Sequence, residues 1–200
     1  MNRTFGGAAA LALSACLAQP VFAQATGTLV FDLKPFTSEV DLKEKIEKQL
    51  KAGGLEWGVV GNELVVTLVN KRFIGADIPN LTRYGERKET QLPAGQYTLT
   101  CVGLIPEGGL SVDKVLSKGA YFNENVLSFT IQPGETTVLE VSSVIRKENT
   151  FLLKFFVPEV SVNVVANGVG FDAVPINLRG DTSVAWDDYS GPLKFVAKRR

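Results

Sequence analysis

Histidine is absent from the 200-residue chain. With it go the usual zinc ligands, the Ser-His and Cys-His nucleophile pairs and the commonest general base. Cysteine is scarce, with Cys16 and Cys101 the only two. Neither charge is in excess, because 21 Lys+Arg stand against 21 Asp+Glu. A general nucleic-acid binder carries a basic surplus, so neutrality speaks against one. Gly-rich phosphate-loop patterns are missing. Beyond the N-terminus, charges or turn residues interrupt every apolar run before it reaches the ~20 residues that cross a bilayer. What remains is an ordinary globular composition with 45% apolar residues, too many for a disordered chain. A chain of this length buries roughly 70% of its unfolded surface.

Residues 1–23 read as a secretory leader. Arg3 is its only charge, Phe5 to Leu17 form an Ala-rich apolar region, and Pro20 breaks the run. Val21-Phe22-Ala23 then forms an A-x-A-like cleavage site before Gln24. A second route is open: Leu13-Ser14-Ala15-Cys16 resembles the bacterial lipobox, in which Cys16 becomes the acylated N-terminus and anchors the protein without spanning the membrane. The expectation is a periplasmic or secreted protein of bacterial style, with an outer-membrane lipoprotein as the alternative. Either way Cys101 is the one internal cysteine, so no intramolecular disulfide forms and the core alone must stabilise the fold.

The mature chain, residues 24–200, reads as one β-rich domain. A single amphipathic helix is expected over about 38–52. Ser38 is placed to N-cap it with Asp41 three residues on, and Gly53-Gly54 stop it. Glu39–Lys43, Asp41–Lys45, Glu44–Lys48 and Glu47–Lys51 fall at i,i+4, while Leu42, Ile46 and Leu50 make an apolar stripe. These self-neutralising charges read as a solvated face. Elsewhere turn signals dominate. Gly61-Asn62 suits a type II′ hairpin that pairs Val59 with Leu64, Trp57 with Val66 and Leu55 with Leu68, leaving Glu56 to meet Thr67 on the other face. Gln132-Pro133-Gly134-Glu135 has a type II centre, and Asn167-Gly168 predicts a hairpin pairing Val164 with Phe171 and Val162 with Ala173. A C-terminal hairpin extension is expected over about 158–200. Roughly ten short strands at 8–12-residue spacing predict an antiparallel β-sandwich.

Two stretches carry a likeness. Leu92-Pro93-Ala94-Gly95-Gln96-Tyr97-Thr98-Leu99, followed by Ile131-Gln132-Pro133-Gly134-Glu135-Thr136-Thr137-Val138-Leu139, resembles the prealbumin-like (carboxypeptidase-regulatory-like) β-sandwich modules of exported bacterial proteins and lipoproteins. The resemblance covers about half the mature chain. It implies an Ig/prealbumin-like fold and an envelope setting, and brings no catalytic motif. The charged helix lies outside the family pattern.

Few residues invite chemistry. Cys101 alternates with Tyr97 and Leu99 and is expected to face the core, where a thiol packs as a small hydrophobe. Trp186-Asp187-Asp188-Tyr189 is the candidate ligand-binding loop: adjacent carboxylates flanked by aromatics suit a cation, a sugar or a peptide. Adjacent residues of an extended segment point to opposite faces, however, and no calcium-loop spacing is present. Glu107, Asp113, Glu124 and Glu135 are scattered over turns. Arg179-Gly180-Asp181 matches a short integrin-binding tripeptide that recurs by chance, and Asn80-Leu81-Thr82 is a glycosylation sequon relevant only in a eukaryote. No catalytic residue, metal or cofactor is assigned. The expectation is a non-enzymatic envelope binding or structural module with a protein or cell-wall glycan partner, and no nucleic acid. It touches membrane only through an anchor at Cys16. The alternatives are a lipid-anchored assembly factor and a carboxylate-dependent hydrolase or sugar-active enzyme.

Overall fold

The computed structural model describes residues 25–68, 80–104, 119–149 and 154–190. The leader, Cys16, Glu107 and Asp113 lie outside these residues. In chain order the strands are β1 (Thr26–Leu33), β2 (Thr37–Ser38), β3 (Gly54–Val60), β4 (Glu63–Thr67), β5 (Asn80–Arg83), β6 (Arg87–Pro93), β7 (Gly95–Leu104), β8 (Ala120–Ile131), β9 (Thr136–Asn149), β10 (Lys154–Ala166), β11 (Val169–Gly170), β12 (Val174–Pro175) and β13 (Val184–Ala185). The helix α1 (Glu44–Lys51) lies between β2 and β3. The chain is mainly β, as its turn signals predict. The first sheet runs β11-β10-β9-β1-β6, with β12 on β10 and β2 on β9; the second runs β13-β8-β7-β4-β3-β5.

The expected all-antiparallel pairing is not kept. β1 and β2 both lie parallel to β9, and β4 lies parallel to β7. The cause is where two turns send the chain. Pro93-Ala94-Gly95 carries it from β6 in the first sheet to β7 in the second, and the Pro133-Gly134 turn carries it from β8 back to β9. The latter has the expected type II form, with Gly134 at φ 72, a value that suits a residue lacking Cβ. It is closed by Glu135 N–H bonding Gln132 O at 3.2 Å and is pinned to β1 as well: Gly134 N–H bonds Thr26 O at 2.8 Å, and Thr28 N–H bonds Glu135 O at 2.8 Å. β6 and β7, and β8 and β9, therefore sit in opposite sheets, and β1, β4 and β6 take partners distant in sequence.

Two of the hairpins expected from turn signals form. Gly61 has φ 59, and Val59 faces Leu64, Trp57 faces Val66 and Glu56 faces Thr67. The Leu55–Leu68 pair is not made, because β4 stops at Thr67. Asn167 and Gly168 have φ 53 and 76, the two positive values of a type I′ turn. Phe171 N–H bonds Val164 O at 3.1 Å as that register requires. The register then slips by one, and Val162 faces Val174 in place of Ala173.

α1 begins at Glu44, six residues later than Ser38. Thr37 and Ser38 pair with Val144 and Ile145 of β9, and Glu39 N–H bonds Ile145 O at 3.1 Å. Ladder hydrogen bonds thus claim the residues expected to start the helix. Extended Lys43 precedes α1 and caps it without a side-chain bond. Glu44–Lys48 and Glu47–Lys51 form at 2.8 and 2.7 Å, while Glu39 faces Arg146 at 3.4 Å.

Alternation puts Leu29, Phe31, Leu33, Val141 and Val162 of the first sheet against Leu55, Trp57, Val66, Leu99 and Cys101 of the second, in one buried cluster. At its centre Phe31 stacks on Trp57 with ring centroids 5.0 Å apart. Fully burying such a side chain contributes about 1.5–3 kcal/mol. The indole N–H of Trp57 donates to Thr82 Oγ1 at 2.9 Å, which satisfies the one polar atom the ring takes into the core.

Candidate functional site

The chain after β11 crosses from one sheet to the other. β12 adds to β10, and β13 adds to β8 through Val184–Phe122 and Ala185–Tyr121. Trp186–Asp188 then makes one 3-10 turn. Tyr189 stacks on Phe122 with centroids 3.7 Å apart, and Trp186 stacks on the same ring at 5.1 Å. With Val65, Val102 and Val184 they form a second apolar cluster. Val65 alternates with Leu64 and Val66, which belong to the main core, so this cluster covers the outer face of the second sheet. The aromatics of the sequence-predicted loop thus lie inward, and Asp187 and Asp188 are exposed. A 3-10 turn rotates successive side chains by about 120°, so the two carboxylates diverge.

Tyr189 is 2% exposed, and its hydroxyl donates to Glu63 Oε1 at 3.1 Å. Glu63 opens β4 immediately after the Gly61-Asn62 turn. The Asn62 amide donates to Gln96 O at 2.7 Å, and Thr98 N–H bonds Asn62 O at 3.0 Å. Around these groups lies an open hollow of ≈ 570 Å³, lined by Val60, Gly61, Asn62, Glu63, Gln96 and Thr98. Sequence reasoning assigned residues 61–62 to a turn and passed over Glu63. Alternation with inward Leu64 marks Glu63 as outward-facing. Nothing local, however, signals its approach to Gln96, Thr98 and Tyr189, because that depends on the parallel β4–β7 pairing that sets Glu63 against Thr98.

Cys101 is fully buried within the main core, as alternation predicts, and burial pushes its thiol far above the usual range. Such a thiol is a poor nucleophile. On the first sheet Lys34 Nζ meets Asp32 Oδ2 at 2.7 Å and Glu140 Oε1 at 3.2 Å. The Asp32 hydrogen bond raises the lysine above its ordinary value, with Glu140 adding to it. Arg179 lies over the Tyr121 ring at 5.6 Å, while Gly180 and Asp181 sit in an exposed turn. Among the described residues no group of three or more Asp, Glu or Cys is placed to hold a metal ion, and no helix is long and apolar enough to cross a membrane. Compared with known proteins, the chain matches no family model, no curated protein and no solved structure.

Proposed function

We propose that the protein is an exported, non-enzymatic binding module of a bacterial envelope, folded as an Ig/prealbumin-like β-sandwich, and that its ligand surface is the hollow beside Glu63. The observation that carries this reading is the Tyr189–Glu63 hydrogen bond of 3.1 Å. It fixes a carboxylate acceptor at the wall of an open hollow whose other polar groups are the Asn62 and Gln96 amides and the Thr98 hydroxyl. Oriented acceptors and amides suit a ligand rich in hydroxyl groups, and ≈ 570 Å³ falls in the range of small-ligand sites. None of the six lining residues is basic, which disfavours an anionic ligand. A cell-wall glycan fits these terms. The leader over residues 1–23 supports the compartment.

The test is retention of purified protein on insoluble cell-wall glycan, followed by titration with soluble glycan fragments while the side-chain amides of Asn62 and Gln96 are observed by NMR. Both amide signals shift, and Glu63→Gln weakens binding about tenfold, the scale of one hydrogen bond to a charged group. No retention, or retention indifferent to Glu63→Gln, overturns the proposal.

A further inference from the structure

The hydrogen bond that holds Glu63 does not call for a charge. The Tyr189 hydroxyl donates to Oε1 at 3.1 Å, and the amide oxygen of a glutamine would accept that bond as well. Glu63 is nevertheless a carboxylate, half-buried at the start of β4, where an ionised group is costly unless an opposite charge approaches it. Among the described residues no lysine or arginine forms an ion pair with it. The six residues lining the hollow include no base and no second carboxylate.

The neighbouring side chain adds to the same polarity. Asn62 commits Nδ2 to Gln96 O at 2.7 Å, while its Oδ1 and Glu63 Oε2 take no hydrogen bond from the described residues. Two consecutive residues therefore bring acceptors to the hollow. A primary ammonium is their complement, with three donors and no acceptor. An acetamide in its place turns a carbonyl acceptor and a methyl group toward the carboxylate. Calcium takes about six to eight oxygen ligands, more than one carboxylate and one amide supply. No lining residue is aromatic, and the Tyr189 ring is 2% exposed. The hollow thus offers no ring face for a sugar to stack on, and must hold its ligand by polar groups and charge.

We infer that the hollow selects amino sugars whose amine is free, with Glu63 pairing the ammonium and the Gln96 amide and Thr98 hydroxyl meeting the ring hydroxyls. This rests on the hollow being the glycan surface proposed above, and adds that its glycan is de-N-acetylated. Glu63 is then the residue that tells the free amine from the acetylated one, because only the first carries a charge.

The experiment compares a glucosamine trimer with the N-acetylglucosamine trimer of the same linkage. Each is titrated into the purified protein at about pH 6, well below the ordinary range of an amine, with the Asn62 and Gln96 amides followed by NMR. The free-amine trimer binds about tenfold more tightly, the step from a neutral to a charge-assisted hydrogen bond. The advantage shrinks as salt rises and the screening length falls. Glu63→Gln keeps an acceptor for Tyr189 and brings the ratio of the two affinities to about one. Asp188→Asn, at an exposed carboxylate one residue from Tyr189, leaves the ratio unchanged. Equal affinity in the unaltered protein overturns the inference and leaves the hollow as a glycan surface. A preference that survives Glu63→Gln, or that disappears with Asp188→Asn, overturns it as general attraction to acidic groups. So does a lysine tripeptide that binds as tightly as the amino sugar, since the ammonium alone would then suffice. If neither trimer moves the two amides, the glycan reading itself fails and the inference falls with it.

Discussion

Tyr189 supplies two separable contributions, and two substitutions divide them. Its ring is 2% exposed and stacks on Phe122 at 3.7 Å, whereas its hydroxyl reaches Glu63 Oε1 at 3.1 Å. Tyr189→Ala removes the ring from a packed cluster and costs about 3–5 kcal/mol of stability, with about 0.5–1.5 kcal/mol of that scale belonging to stacking geometry. Tyr189→Phe keeps the ring and removes only the hydrogen bond. Glu63 is half-buried, so water replaces part of the lost partner, and the cost is about 1 kcal/mol. Unfolding in urea followed by tryptophan fluorescence reads both. With a slope of about 2 kcal/mol per molar, the midpoint falls by about 2 M for the alanine and about 0.5 M for the phenylalanine. Glycan binding separates them again: Tyr189→Phe lowers affinity about three- to tenfold, because Glu63 loses the bond that orients it. If Tyr189→Ala and Tyr189→Phe shift the midpoint equally, the ring is not an anchor. If Tyr189→Phe leaves affinity untouched, Glu63 is not held for a ligand.

Thr82→Val leaves the Trp57 indole N–H buried without the acceptor it has at 2.9 Å. It costs about 1–3 kcal/mol, and a cycle with Trp57→Phe returns a coupling of about 1 kcal/mol; additive losses would discard the bond. Cys101 resists thiol reagents until the protein unfolds, and labelling in the native state at the rate of an exposed cysteine would contradict its burial. Above pH 9, its ordinary value, the Cys101 thiol ionises in the unfolded chain but stays protonated in the fold. The native state then binds more protons, so stability falls as pH rises past 9. Urea midpoints measured from pH 7 to 10.5 show this fall, and Cys101→Ala flattens it; an unchanged slope in the variant would assign the fall to other groups.

Local pattern reached some parts of this molecule and not others. The Gly61-Asn62 turn and the facing of Trp57 by Val66 were legible because a two-residue hairpin sets register by counting outward from its turn. Cys101 was legible as core because alternation with Tyr97 and Leu99 is a property of one strand. Ser38 misled, since a capping pattern measures local preference, and pairing with Ile145, over a hundred residues away, outweighed it. The Gln132-Pro133-Gly134-Glu135 turn was legible in type and not in destination: its form follows from local residues, but whether a turn closes a hairpin or crosses between sheets depends on what its flanking strands meet. Trp186-Asp187-Asp188-Tyr189 stood out by composition. Glu63, the group it reaches, carried no signal of its own.

By itself, then, the chain's sequence determined its β-rich character, its principal turns, which side of each strand is apolar, and the chemistry denied to a protein without histidine. These follow from steric preferences and periodicity, which act over a few residues. Tertiary structure alone decided the parallel pairings, the crossing of residues 174–190 from one sheet to the other, and the meeting of Glu63 with Tyr189. Those depend on burying two apolar faces against each other at once, a condition that no short stretch of chain can satisfy or reveal.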